Sequence, residues 1–345
     1  MNPISIRLLS QQLVCPQYDS PAEVVDYMGA MQAQDYRMVR WAVEMRTRKT
    51  GSNAFRQAFN SGDIIRLHLF RGTWQLVAGK DYRWMLDLCS QRALSVLRGW
   101  MKASGELIDD NERYAIREIL IKETEEKGSA TKEDFVSALK ERGVSMGGHR
   151  LSYHIRMAEL DGTLCSGNLS PMKATYSLAE SKVVPTAKID RDEMLMLLAR
   201  KYFRSHSPAT LADFVWWAGL SSSDCKAGVQ LLGSELHHEK YKDYDFIMHD
   251  SCRTRGFRRG TAHLLAPFDE YLVGYKSREL VIAPAYMPKA YTNNGIFFPV
   301  IANDGRICGN WAPWNKTLKT EYFEPAGEKL PLERHWERFC RMSIY

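Results

Sequence analysis

Apolar residues along this chain recur on a helical period in some stretches and alternate in others, and the switch between the two happens more than once. Ile6, Leu9 and Leu13 form one stripe and predict a helix over residues 2–14. Asp19-Ser20-Pro21 reads as a helix start, with Ser20 as cap and Pro21 in the first helical position, and that helix runs to about Gly29. A third helix is expected over roughly 36–48. Residues 64–69 and 73–77 alternate strictly around a tight Phe70-Arg71-Gly72 connection, which predicts a β-hairpin. Ile65, Leu67, Leu69, Trp74 and Leu76 are its expected core face, and Arg66, His68, Thr73 and Gln75 its outward face. Three helices followed by a two-stranded wing is the winged helix-turn-helix pattern.

The order then repeats. An aromatic-rich helix over about 80–103 breaks at Gly105, and a helix at 111–126 follows. Thr131 opens another, with Asp134 three residues on as a variant capping box. After a turn at Val144–Gly148 come a helix at about 149–160 and two strands, near Leu164 and at Ala174–Leu178. A third copy is expected from helices at 192–203, from Ser207-Pro208 to about 218, and at 221–233, with a wing in 235–249. From about 261 the texture changes. Asn294-Gly295 and Asn303-Asp304-Gly305 are hairpin-turn signals, Ile296–Ile301 and Arg306–Trp311 flank the second, and a short helix is expected near 331–342. The expected class is α+β: three tandem winged-helix modules at 1–104, 105–185 and 186–260, then a small β-rich domain at 261–345.

Composition narrows the function classes. The 345 residues are 45% hydrophobic, enough for several cores, but no run of 18 apolar residues predicts a membrane span. The N-terminal MNPISIRLLSQQLV has no long apolar region with a small-residue cleavage site, so it does not read as a signal peptide. Cysteines at 15, 89, 165, 225, 252, 308 and 340 are dispersed without a C-x-x-C, as expected of reduced thiols in a cytoplasm rather than a disulfide framework or zinc ribbon. P-loop, G-x-G-x-x-G, H-E-x-x-H and G-x-S-x-G patterns are missing, and the histidines do not cluster at ligand spacing apart from the adjacent His237-His238. No metal, nucleotide cofactor or other cofactor is expected.

Charge changes the picture more. The formal net charge is +6, and residues 1–104 carry 14 Lys+Arg against 8 Asp+Glu, while the remainder carries 33 of each. The whole excess lies in the first module, and 11 of its 14 basic residues are arginine, the side chain suited to bidentate phosphate contacts. A basic winged-helix module points to double-stranded DNA as partner. Winged helices used for protein contacts, or a non-catalytic DNA-binding protein such as a transcriptional regulator, are the competing readings.

Within that basic module lies Met31-Gln32-Ala33-Gln34-Asp35. Helix packing asks for no paired amides here. On an extended stretch Gln32 and Gln34 would share a face, whereas on a helix they would stand about 200° apart. Asp35 has two readings: the cap of the next helix, or a carboxylate acting on a cation.

Three segments in order carry a resemblance: Met31-Gln32-Ala33-Gln34-Asp35; Ile65-Arg66-Leu67-His68-Leu69-Phe70-Arg71-Gly72-Thr73; and Ala266-Pro267-Phe268-Asp269-Glu270-Tyr271-Leu272 through Arg278. With Ser207-Pro208-Ala209-Thr210 through Trp217, the chain resembles the AlkZ-like (YcaQ-like) winged-helix DNA glycosylases over nearly its whole length. The resemblance implies tandem winged helices with a C-terminal β-barrel. It implies a monofunctional glycosylase that hydrolyses the N-glycosidic bond of N7-alkylated guanine and can unhook interstrand crosslinks. The family's glutamine–small or aliphatic–glutamine motif maps onto Gln32-Ala33-Gln34, so Gln32 and Gln34 take the catalytic roles, with Asp35 beside them. The implied setting is a monomer acting on alkylated duplex DNA at the bacterial nucleoid, within the cytoplasm. Arg37, Arg40, Arg66, His68, Arg71, Thr73 and Arg306 are the candidate DNA contacts, set against a solvated wing and a plain surface turn at Asn303–Arg306. Asp269 and Glu270, in an apolar stretch, either brace the C-terminal domain or approach the lesion.

Overall fold

The computed structural model describes residues 2–49, 53–324 and 330–342. Contacts group the chain into two compact units, residues 1–55 with 195–345, and residues 56–194. The first is assembled from two distant stretches of sequence, and the second from the stretch between them. Each is α+β with small antiparallel sheets.

The first unit opens with α1 (Pro3–Ser10), whose first turn is capped by the Asn2 side chain, and α2 (Pro21–Met28). The expected start of α2 is present in full. Ser20 and Glu23 form a reciprocal capping box, Pro21 occupies the first turn, and Gly29 ends the helix at φ +80°. A short strand β1 (Ala30–Gln32) precedes α3 (Val39–Glu44), which is shorter than the expected 36–48 helix.

One helix, α4 (Ala54–Ser61), falls outside every expected element. Phe55, Ala58 and Phe59 bury its apolar face, but two turns give the period little length in which to show. In the second unit, β2 (Ile64–His68) and β3 (Trp74–Ala78) pair from Ile64↔Ala78 to His68↔Trp74, the hairpin that alternation predicts. Next come α5 (Tyr82–Ser104), α6 (Asp110–Lys127), β4 (Ala130–Thr131), α7 (Lys132–Glu141) and α8 (Gly148–Leu160). Thr131 and Asp134 form the expected box on α7. β5 (Leu164–Ser166), β6 (Thr175–Leu178) and α9 (Ala179–Lys182) close the unit, with strand order β4-β6-β5. Its core gathers Leu120, Phe135, Leu139, Leu151, Ile155 and Leu164 from α6, α7, α8 and β5. That burial supplies the main stabilising term.

The first unit resumes along α10 (Arg191–His206), then α11 (Leu211–Ala218) and α12 (Ser222–Leu232). α11 is capped by Thr210 and Asp213 rather than opened by Ser207-Pro208, whose peptide is cis. β7 (Leu236–Tyr241) and β8 (Tyr244–His249) form the expected hairpin. After them come β9 (Ala262–Leu265), the one-turn α13 (Glu270–Val273), α14 (Met287–Ala290), β10 (Val300–Asn303), β11 (Arg306–Trp314), β12 (Thr317–Tyr322) and α15 (Glu333–Arg341). The four strands make an antiparallel sheet in the order β12-β11-β10-β9. β10 begins at Val300 rather than Ile296, because Pro299 has no N–H to give a ladder.

Candidate active site

β1 delivers Gln32 at its last position, between Met31 and Ala33, which are fully buried. Gln32 itself is 8% exposed, and Gln34, two residues on, is exposed. Gln34 and Asp35 lie in a bend, so the extended-strand argument applies to Gln32 and stops short of Gln34. The turn brings the second amide out of the wall that holds the first.

What fixes that wall is a carboxylate 238 residues away. The Gln32 backbone N–H donates to Glu270 Oε1 at 2.6 Å. Glu270 is 2% exposed, and its Oε2 accepts from Trp217 Nε1 at 3.0 Å and lies 3.3 Å from His206 Nε2. Ser205 Oγ sits 2.8 Å from His206 Nδ1. The Gln11 amide donates to the Glu270 carbonyl and to Tyr275 Oη, both at 3.2 Å. A buried carboxylate persists only when its lone pairs are filled, and here α10, α11 and β1 fill them.

The neighbouring carboxylate is braced in another way. Asp269 accepts two bonds from Arg46, at 2.9 and 2.7 Å, with both side chains essentially unexposed. The Arg46 fork also reaches Gln11 Oε1 at 3.1 Å and the Ala42 carbonyl at 2.7 Å, and Tyr271 N–H caps onto Asp269 at 2.9 Å. Bidentate geometry and extra donors are the conditions under which a buried ion pair holds. Asp269 therefore braces the C-terminal part against a basic residue. Glu270 braces it against an amide, an indole and an imidazole.

Asp35 Oδ1 accepts from the backbone N–H groups of Arg37 and Met38 at 3.0 and 2.9 Å, and its carbonyl accepts from Val39 at 3.0 Å. That is capping geometry at the entry to α3. Asp35→Asn keeps an oxygen in that place and is expected to leave both melting temperature and base release near those of the parent. Asp35→Ala is expected to cost about 1 kcal/mol. A large loss of base release in Asp35→Asn at unchanged melting temperature would restore a charge role to this residue.

The proposed DNA contacts separate by exposure. Arg37 and Arg306 are exposed, and Arg71 and Thr73 are half-buried. Arg40, Arg66 and His68 are buried at 6, 4 and 4%. The expectation that Arg66, His68 and Gln75 face outward from the hairpin is thus corrected, since Gln75 is also buried. The reason lies within the second unit. The Arg66 backbone N–H donates to Ser166 Oγ of β5 at 2.9 Å, and Glu159 of α8 meets His68 Nδ1 at 2.5 Å. The Arg66 guanidinium lies 3.7 Å over the Trp74 ring. Burial raises the Glu159 carboxyl pKa, while burial together with the Arg156 and Arg66 charges holds His68 well below its ordinary value. Thr73 Oγ1 is likewise engaged, donating to Phe70 O at 3.0 Å and accepting from Gln75 at 2.9 Å.

The site is thus a glutamine amide on an anchored strand end, a second glutamine at the surface, and a buried polar frame behind them. A family model described as "DNA glycosylase AlkZ-like" matches residues 25–341. The chain belongs to the AlkZ-like DNA glycosylase family. An interstrand DNA cross-link repair glycosylase of Streptomyces sahachiroi is similar to it, at 24% identity over 330 residues, 91% of this chain and 87% of that protein. The solved structure of Streptomyces sahachiroi DNA glycosylase AlkZ shares the fold, with a TM-score of 0.78 at 21% identity over 99% of this chain and 96% of that one. This AlkZ-like protein is a DNA glycosylase, a hydrolase of N-glycosyl bonds, and DNA is its substrate. The regulator reading falls away. No helix among the described residues is long and apolar enough to cross a membrane.

Sequence reasoning missed the frame: Glu270 as the partner of Gln32, and Trp217, His206 and Arg46 around it. The only signal was two carboxylates in an apolar stretch, which announces a buried acid without naming its partners.

Proposed function

We propose that this AlkZ-like glycosylase hydrolyses the N-glycosidic bond of N7-alkylated guanine, with Gln32 and Gln34 positioning the attacking water at C1′. The observation that supports this most is the backbone of Gln32, held at 2.6 Å by a buried carboxylate so that its side chain starts from a fixed point. An N7-alkylated guanine is already cationic, so the C1′–N9 bond breaks with its electron pair passing to a base that leaves neutral. No general acid is required. The remaining oxocarbenium-like sugar takes the water oxygen at C1′, and the water proton passes to solvent. A side-chain amide accepts a hydrogen bond from that water and aims its lone pair, but it is a poor base, so its contribution is orientation. The chemistry calls for no metal or nucleotide cofactor and for one chain alone.

Interstrand crosslinks made through N7 present the same leaving group, and the similar Streptomyces protein is named for interstrand DNA cross-link repair. We include their unhooking in the proposal. Crosslinked bases cannot swing into a tight pocket, and an open surface bearing the exposed Gln34 suits them better. In this reading the small sheets at 64–78, 164–178 and 236–249 are the wings of three winged-helix modules, and 261–345 is the barrel-like domain that holds Asp269 and Glu270. Arg37 and Arg306 are the candidates left best placed to meet phosphates, followed by Arg71 and Thr73. Arg40, Arg66 and His68 are assigned to packing.

A duplex oligonucleotide with one 7-methylguanine tests the reading. Incubation followed by alkali is expected to cut at the lesion, and a matched duplex with uracil, a neutral and poorer leaving group, is expected to stay whole. Cleavage of uracil with none of 7-methylguanine would overturn it.

A further inference from the structure

One dense basic run lies within the otherwise charge-balanced remainder of the chain. Residues 253–259 read Arg-Thr-Arg-Gly-Phe-Arg-Arg, four arginines without an acid. The loop belongs to the first unit and is pinned at one end. Arg253 donates to the Cys15 carbonyl at 3.1 Å, and the Cys15 thiol donates to the Gly256 carbonyl at 3.6 Å. Arg255, Arg258 and Arg259 are exposed and make no ion pair among the described residues. Two adjoining depressions open beside the loop, of about 850 and 590 Å³, and both are walled by Phe257. Arg259, Arg306 and Lys242 line the larger, with Tyr241 and Tyr244. Arg255 lines the smaller.

The acids nearby lie in the depressions and not on the loop. Asp243, Asp304 and Glu279 match Lys242, Arg259 and Arg306 in the larger depression, and Glu239 matches Arg255 in the smaller. Asp304 accepts from Thr261 N–H at 2.8 Å and Thr261 Oγ1 at 3.2 Å. The unmatched positive charge is therefore that of the loop, where Arg258 is exposed beside Arg255 and Arg259 with no acid between residues 253 and 259. The groove is also tied rigidly to the catalytic stretch. Glu270 takes the Gln32 N–H, and the next residue, Tyr271, donates its hydroxyl to the Gly305 carbonyl at 2.8 Å, beside Arg306. Gly305 has φ +80°, and a Cβ there would meet Ile4 at 2.4 Å and Tyr271 Oη at 2.6 Å, so the turn presenting Arg306 sits hard against α1.

We propose that the 253–259 loop, with Lys242 and Arg306, grips the sugar–phosphate backbone of duplex DNA away from the lesion, as a second contact fixed to the same body as Gln32. Guanidinium groups on a pinned loop suit phosphate oxygens. Such contacts set register without reading sequence, as an enzyme directed at a lesion requires. The inference rests on DNA being the substrate and not on which base is removed.

Binding to an undamaged duplex therefore tests it, by fluorescence anisotropy across a salt series. The triple variant Arg255→Ala/Arg258→Ala/Arg259→Ala is expected to bind on the order of tenfold more weakly at low salt, with a log Kd against log salt slope shallower by about 2. The triple Arg→Lys variant keeps the charges and is expected to recover most of the slope. A melting curve of each variant shows that the fold is kept. Wild-type affinity and slope in a folded Ala variant would overturn the proposal, as would an equal loss in the Lys variant, which would mark the loop as structural. Base-release results bear on neither outcome.

Discussion

Replacing Gln32 and Gln34 together by Ala is expected to slow release of 7-methylguanine by about a hundredfold or more, because misplacing a reacting group by even an ångström costs that much. Single-turnover kinetics on the 7-methylguanine duplex measure it with enzyme in excess. The stability change should be small by comparison. Gln34 is exposed, and the Gln32 backbone bond to Glu270 survives truncation of the side chain. The buried part of the Gln32 amide contributes on the order of 1 kcal/mol. A double variant that releases base at the parental rate would remove both residues from the chemistry. A lowered rate accompanied by a collapsed melting transition would show only that the fold was lost, and Gln34→Ala alone then decides, since nothing buried changes there.

The largest stability effect is expected at Arg46. Arg46→Ala strands the Asp269 carboxylate, 1% exposed, with the Tyr271 N–H as its remaining donor among those described. Breaking such a pair costs about 3–5 kcal/mol. Asp269→Ala should cost a similar amount, by leaving the guanidinium uncompensated, whereas Arg46→Ala with Asp269→Ala should cost clearly less than the two singles added together. Chemical denaturation resolves the effect, which should fall on the unit formed by residues 1–55 and 195–345. Additivity of the two substitutions would mean that the pair, despite its geometry, contributes little as a pair.

The parts of the fold that could be read from the chain are those whose cause is local. Ser20, Pro21 and Glu23 start a helix because three neighbours satisfy one another, and Thr131 with Asp134 repeats the device. The 64–78 hairpin follows from alternation and a tight connection, but its register sets Arg66 opposite Leu76, Leu67 opposite Gln75 and His68 opposite Trp74, so the expected inner and outer residues of the two strands share faces. Alternation states that a strand has two faces, however, and not what each face meets. Arg66 and His68 carry the polar phase, yet Ser166 and Glu159, about a hundred residues on, bury both. Glu270 shows the same limit at the site, since nothing near Gln32 in sequence announces a carboxylate 238 positions away. The glutamine pair was legible because two amides in an apolar setting have no packing reason. The frame that holds them was not, because partnership across a fold leaves no periodic trace. The arginines of 253–259 were legible in principle and lost to averaging over a neutral segment.

The bond from Gln32 to Glu270 also bears on timing. A peptide plane whose N–H is locked to a buried acid cannot rotate while that acid stays in place, and the acid is itself held from α11. The main chain beneath the first amide is therefore set before any lesion arrives. Scanning undamaged duplex and meeting a damaged base then involve the same rigid backbone, and no share of the binding free energy is lost to ordering it. In the proposed mechanism discrimination is left to the base: a cationic guanine departs when a waiting water is aimed at its sugar, and an intact one, passing the same aimed water, stays.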